Sequence, residues 1–94
     1  MKSTNLTALQ FAAALQINEF GYVKLTAVNM HTAGSLIYRR LVYVSQSKGE
    51  VILILTKQGR NLLEKYSSFS PRELDTVSPG VQEIIHRSGL RKVS

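Results

Sequence analysis

The chain has 94 residues, 44% of them hydrophobic and only two of them proline, which allows one domain with a small core and argues against disorder. It has no cysteine, which excludes disulfides and thiol chemistry and suits a reducing cytoplasm, and no apolar run approaches the roughly 20 residues of a membrane helix. The formal net charge is +6, and seven basic residues stand against two acidic ones before residue 63, which favours a polyanionic partner.

The first predicted element is an amphipathic helix over residues 4–19. Its apolar residues recur at intervals of three and four, at Leu6, Leu9, Ala13, Ile17 and Phe20. Leu15 and several alanines widen this surface beyond one stripe. We therefore expect the helix either to lie at the centre of the core or to form half of a dimer contact.

Residues 22–41 decide the fold, and they admit two interpretations. In the first, residues 22–23 form a short strand, residues 25–29 a small helix, and residues 33–41 the second helix of a helix-turn-helix with Thr32 as its N-cap. A β-hairpin after these elements gives a winged helix.

The second interpretation treats the same region as strands. Residues 22–28 contain tyrosine, valine and threonine, which favour strands, and residues 36–45 then continue as a long strand. This gives an α+β fold with one helix, a three-stranded antiparallel sheet and further helices.

A β-hairpin is predicted next along the chain. Residues 41–46 and 51–55 are rich in strand formers and flank the polar loop Ser47-Lys48-Gly49-Glu50, where Gly49 can adopt a positive φ. Residues 51–55 show no polar alternation. We expect that strand to be covered on both faces or to pair with another subunit.

A capped helix is predicted directly after the hairpin. The hydroxyl of Thr56 can accept a hydrogen bond from a free N–H of the first helical turn. Leu62 and Leu63 form an apolar stripe on this helix, whereas Lys57 and Arg60 are expected to face solvent.

The succession over residues 39–66 is a strand, a tip with a basic residue, a second strand, and then Leu-Thr-x-x-Gly-Arg-x-Leu-Leu-Glu. It resembles the wing and following helix of winged-helix DNA-binding proteins, especially the MarR and PadR types of bacterial regulator. The resemblance implies a small winged-helix fold with a C-terminal helical extension. It also implies a homodimeric, sequence-specific binder of double-stranded DNA that regulates transcription.

The same resemblance implies which residues contact DNA. They lie on or beside the second helix of the helix-turn-helix, at the wing tip, and in the first turns of the following helix, and they are Ser35, Tyr38, Arg39, Arg40, Lys48, Lys57 and Arg60. Polar and basic side chains at these places can reach base edges and phosphates.

A change of composition after Tyr66 divides the chain into a winged-helix-like domain at residues 1–66 and a helical extension at residues 67–94. Two short helices are predicted in the extension, because a serine that can cap a helix is followed by a proline at the first helical position, at residues 70–71 and again at 78–79. Gly89 can end the second helix. We expect the extension either to dock on its own domain or to serve as a dimerisation element.

Few residues suit catalysis or metal binding. His31 and His86 stand far apart, and the close acidic pair Glu73 and Asp75 is explained by its position at a helix start. No phosphate-binding glycine loop or nucleophile motif is present. We therefore expect no enzyme activity, no metal and no cofactor.

A protein-binding module is the competing prediction. The apolar strand at residues 51–55 and the wide apolar face of the first helix suit association with another protein. In this interpretation the chain is a small inhibitor of the phage or plasmid type that engages an acidic protein surface.

Overall fold

The computed structural model describes residues 6–88, with Pro71, Leu74 and Ser88 described in the backbone alone. The elements in chain order are α1 (Ala8–Phe20), β1 (Val23–Lys24), a 3₁₀ turn (Leu25–Ala27), α2 (Met30–Tyr38), β2 (Val42–Ser47), β3 (Glu50–Leu55), α3 (Lys57–Ser67), α4 (Pro71–Leu74) and α5 (Pro79–Ser88). This α+β order is that of a small winged-helix-like fold with a helical extension. The long strand expected over residues 36–45 in the competing interpretation is not formed, because its first residues belong to α2.

The first helix begins later than the sequence predicts. Thr7 is its N-cap, and a capping box joins Thr7 to Gln10: the Thr7 hydroxyl accepts from the Gln10 N–H at 3.2 Å, and the Gln10 side chain accepts from the Thr7 N–H at 3.0 Å. This box places the helix start at Ala8, whereas the predicted start at Thr4 lies outside the described residues.

The cap of α2 also differs from the prediction. Asn29, not Thr32, is the N-cap, and its side-chain oxygen accepts from the N–H groups of His31 at 2.8 Å and Thr32 at 3.4 Å. Thr32 lies inside the helix and is buried. The prediction of Thr32 was wrong because asparagine caps helices as well as threonine does, and the earlier residue here starts the helix.

The sheet is antiparallel with the strand order β1-β3-β2, so the apolar strand β3 lies at its centre. Successive residues of a strand point to opposite faces, and both Ile52 and Leu53 are buried. At these two residues the strand is buried on both faces within this chain, which accounts for the lack of alternation there, whereas Ile54 is half-buried. The hairpin loop has two residues, Lys48 and Gly49, because Ser47 already pairs with Glu50.

The core joins α1, α2, α3 and the sheet around two aromatic rings. Phe11 and Tyr66 are both buried and meet edge to face, with ring centroids 4.9 Å apart. The Tyr66 hydroxyl accepts a hydrogen bond from the buried N–H of Leu6 at 3.0 Å. Tyr66 therefore ties the segment before α1 to the end of α3.

Replacing Tyr66 with phenylalanine is expected to lower the free energy of unfolding by about 1–3 kcal/mol, because the buried N–H of Leu6 would lose its acceptor while the ring packing remains. Chemical denaturation of both proteins measures this difference. The Tyr22→Phe variant, at an exposed tyrosine, is the matched control and should be unchanged. Equal stability of all three proteins would contradict the assigned hydrogen bond.

The helical extension packs against the rest of the chain. Val81 and Ile85 of α5 are buried in the same apolar cluster as Phe11 of α1.

A hydrogen bond also marks the start of α4. The Ser70 N–H donates to the Glu73 carboxylate at 2.9 Å, and this contact holds the pKa of Glu73 below its usual value. Gly89, the predicted end of α5, lies outside the described residues.

Candidate nucleic-acid interface

Helix α2 ends in a Schellman motif with an unusual residue. The Arg40 N–H donates to the Ile37 carbonyl at 2.9 Å, and the Leu41 N–H donates to the Leu36 carbonyl at 3.0 Å. Arg40 has a φ of 62° and thus occupies the left-handed position where glycine is most common. Leu36 and Leu41 are buried in the core, so the motif directs the chain from α2 into β2 while the side chain of Arg40 remains exposed.

The hairpin turn repeats this feature. Lys48 has a φ of 52° and Gly49 a φ of 81°, and two successive positive φ angles characterise the tight turn that suits a twisted hairpin. Asparagine and aspartate are the residues usually found at the first of these positions. Lysine there presents a cation at the exposed tip of the hairpin.

Arg40 and Lys48 thus share an uncommon backbone conformation. Among the residues that the structure describes, they are the non-glycine residues with a positive φ. A side chain in this region costs on the order of 1 kcal/mol relative to glycine. Both positions carry a basic, exposed side chain at a cost in stability.

The remaining predicted residues near α2 differ in their surroundings. Tyr38 is 88% exposed. Ser35 faces α1 and accepts a hydrogen bond from the side-chain amide of Gln10, whose carbonyl oxygen lies 3.4 Å from the guanidinium of Arg39. Ser35 and Arg39 therefore both take part in hydrogen bonds that hold α2 against α1.

The N-terminus of α3 lies against the end of α2. The Thr56 hydroxyl donates to the Arg40 carbonyl at 2.7 Å, and the Gln58 side chain donates to the Arg39 carbonyl at 3.3 Å. Lys57, the first residue of α3, is exposed at this junction. The structure thus brings Lys57 close to Arg39 and Arg40 in one basic group.

Two predicted residues lie apart from that basic group. The guanidinium of Arg60 lies 3.3 Å from the Leu55 carbonyl, at the end of β3. Lys48 is separated from Arg40 by the length of β2, roughly 20 Å of extended chain. Near the same tip, Glu50 pairs with Lys24 at 3.3 Å, and both side chains are half exposed.

The outward face of α2 was not identified from the sequence. Its exposed residues follow the helical repeat along one side, and they are Met30, His31, Gly34, Ile37 and Tyr38. Asn29 is the sequence signal that was missed. A helix that starts after an Asn29 cap, instead of after Thr32, includes Met30 and His31. Thr32, Ala33 and Leu36 form the opposite, buried face.

The described residues include neither a metal-binding cluster nor a membrane-spanning helix. They contain no group of three or more histidines and acids that could hold a metal ion. None of their helices is long and apolar enough to cross a membrane. The sequence from Phe20 to Gly49, which contains α2, has four lysines and arginines and no acid, although Lys24 pairs with Glu50 just beyond it.

Comparison with known proteins supports the fold. No protein-family model matches the chain, and no curated protein matches it. The chain is similar to a solved structure of Bordetella bronchiseptica BpsR, a protein whose DNA binding is regulated by 6-hydroxynicotinic acid. The two are 22% identical with a TM-score of 0.61, over 94% of this chain and 75% of that one. At this identity the likeness concerns the fold alone.

Proposed function

We propose that the chain binds double-stranded DNA, with α2 in the major groove and the β2–β3 hairpin on the neighbouring backbone or minor groove. The observation that carries this proposal is the positive φ of two exposed basic residues, Arg40 and Lys48. Strained backbone positions cluster at functional sites, where the side chain matters more than its cost. Neutralising a phosphate charge needs a lysine or an arginine, and glycine or asparagine at these positions would carry no charge.

The spacing of these residues suits a duplex. One turn of B-DNA spans about 34 Å, so a major groove and the next minor groove lie roughly 17 Å apart. The separation of Arg40 and Lys48 along β2, roughly 20 Å, is of this size. The basic group at Arg39, Arg40 and Lys57 would hold phosphates beside α2, and Lys48 would hold the backbone beyond it.

The other three predicted residues differ in how well their surroundings suit a contact with DNA. Tyr38 is well placed for base edges because it is the exposed last residue of α2. Arg60 would contact phosphate from the first turns of α3. Ser35 has the weakest claim, because its hydroxyl already bonds to Gln10.

We further propose that the chain is a transcriptional regulator of the MarR or PadR type. It would act in the cytoplasm as a homodimer. The regulator-like fold supports it, and so do the exposed Phe20 and Tyr22, which flank Gly21 at the end of α1 and suit a contact with a second chain. A dimer would double the phosphate contacts and set the spacing of two half-sites.

Selection of bound sequences from a random pool of 40-bp duplexes tests this proposal directly. We expect enrichment of one sequence with two-fold symmetry and half-sites one helical turn apart, because two copies of α2 would read equivalent major grooves. Enrichment of a single unsymmetrical site would contradict the dimer. Recovery of the input distribution would contradict sequence-specific binding.

A protein-binding module remains the second candidate, and the apolar surface favours it. Met30 is 86% exposed, and Tyr43, which pairs with Ile54 on the outer face of the sheet, is half exposed. Large apolar side chains at the surface commonly mark protein contacts. This candidate predicts little binding to any duplex at about 0.1 M salt and no dependence of binding on ionic strength.

A further inference from the structure

The outward face of α2 is more apolar than a DNA-facing helix needs to be. Met30 and Tyr38 are 86% and 88% exposed, and Ile37 between them is 38% exposed. They share this face with Gly34, which adds no side chain, and with His31. No lysine, arginine, asparagine or glutamine belongs to α2 itself.

Several polar side chains next to this face make hydrogen bonds within the protein or are buried. The Asn29 side chain caps the helix, and Thr32 is buried. The Ser35 hydroxyl accepts a hydrogen bond from the side-chain amide of Gln10, and the side-chain oxygen of Gln10 accepts one from the guanidinium of Arg39. The side chains most often used for bidentate contacts with guanine or adenine are therefore absent from α2 itself, and the exposed Arg40 that follows the helix is proposed to contact a phosphate.

The electrostatic surroundings decide what can cover this face. The exposed basic residues Arg40 and Lys57 lie at the C-terminal end of this face, and the whole chain has a net charge of +6. A second copy of the same basic face would be repelled, whereas the phosphates on either side of a DNA groove would be attracted. The occupant of the apolar stripe is thus best matched by a duplex.

We infer that α2 reads DNA chiefly through the C5-methyl groups of thymine, which contact Met30, Ile37 and the ring of Tyr38. The inference rests on the proposed function and names its preferred target, a site rich in A·T pairs. The C5-methyl group is the apolar feature that a thymine presents in the major groove, and apolar side chains recognise it by contact. Uracil pairs in the same way but lacks this methyl group.

Four 20-bp duplexes test the inference by removing and adding that methyl group. Three of them are alternating d(A-T), alternating d(A-U) and alternating d(G-C). The fourth is the d(G-C) duplex in which every cytosine is replaced by 5-methylcytosine. We expect d(A-T) to bind at least about fourfold more tightly than d(A-U), which is the effect of burying about one methyl group. Methylation of d(G-C), which places a methyl group at the equivalent position, should also raise affinity.

Variants connect the methyl effect to α2. Met30→Ala and Ile37→Ala should each reduce the d(A-T) to d(A-U) affinity ratio toward one, because the apolar partner is lost. Leu9→Ala, at an exposed leucine of α1, is the matched control and should keep the wild-type ratio. A wild-type ratio in both α2 variants would overturn the assignment to these residues.

The outcomes separate this inference from the proposed function. Salt-dependent binding that is equal for d(A-T) and d(A-U) would overturn methyl recognition and leave DNA binding intact. Absence of salt-dependent binding to all four duplexes would overturn both. Tighter binding to the methylated member of each pair supports both.

Discussion

Replacing Gly59 with alanine is expected to lower the free energy of unfolding by about 3 kcal/mol or more. A Cβ atom at this position would lie directly against the carbonyl oxygen of Leu41 and 3.0 Å from a methyl group of Leu55. The carbonyl belongs to the backbone, which cannot rotate away as a side chain can. The first turn of α3 would have to move off the junction of α2 and β2.

That movement would break contacts that form the candidate interface. The Thr56 N–H donates to the same Leu41 carbonyl at 3.0 Å, and the Thr56 hydroxyl holds the Arg40 carbonyl. Domains of this size have stabilities on the order of 5–15 kcal/mol, so the expected loss is a large share of the total. Thermal unfolding should show a decrease in Tm of at least about 12 °C.

Gly34→Ala is the matched control for this prediction. Gly34 is an exposed residue inside α2, and a Cβ atom there meets no other atom within 4 Å. Alanine is favoured over glycine in a helix by about 1 kcal/mol, so this variant should be more stable than the wild type. If Gly59→Ala were as stable as Gly34→Ala, the close approach of α3 to Leu41 would be contradicted.

The double variant Arg40→Gly, Lys48→Asn is expected to bind duplex DNA about a hundredfold more weakly per chain near 0.1 M salt, while folding at least as stably as the wild type. Each phosphate contact contributes roughly a tenfold effect at this salt concentration through counterion release. Glycine and asparagine are the residues that the two backbone conformations prefer. Charge is removed and backbone strain is relieved in the same protein.

This combination distinguishes a binding defect from a folding defect. Chemical denaturation should give equal or higher stability for the double variant, and fluorescence anisotropy with a labelled duplex should give weaker binding. The control is Arg72→Gln, Arg87→Gln, which removes the same number of charges from α4 and α5. Equal loss of affinity in the control would indicate that net charge, not the position of Arg40 and Lys48, governs binding.

Much of the fold could be predicted because its signals are local. The hairpin, the Thr56 cap of α3 and the serine and proline starts of α4 and α5 depend on residues within a few positions of each other, and the structure confirms them. The two-residue turn was predicted as four residues, because lysine seldom adopts a positive φ and Lys48 gives no signal of it.

The remainder depends on contacts between distant parts of the chain. The central position of β3 follows from its pairing with β1, whose residues Val23 and Lys24 precede it by almost thirty positions. The hydrogen bond between the Ser35 hydroxyl and Gln10, which lies 25 positions earlier, could not be predicted from the sequence. The apolar outward face of α2 likewise becomes visible only when the buried face is known.

The dependence of wild-type affinity on salt tests the central claim most directly. The association constant for a 30-bp duplex of mixed sequence should be measured by anisotropy between about 50 and 200 mM salt. Contacts from the five basic residues of the proposal predict a slope of log K against log salt of about −4 to −5 per chain, and a slope smaller by about two in the double variant. These residues are Arg39, Arg40, Lys48, Lys57 and Arg60. A wild-type slope near zero, or the same slope in both proteins, would contradict DNA binding through these residues.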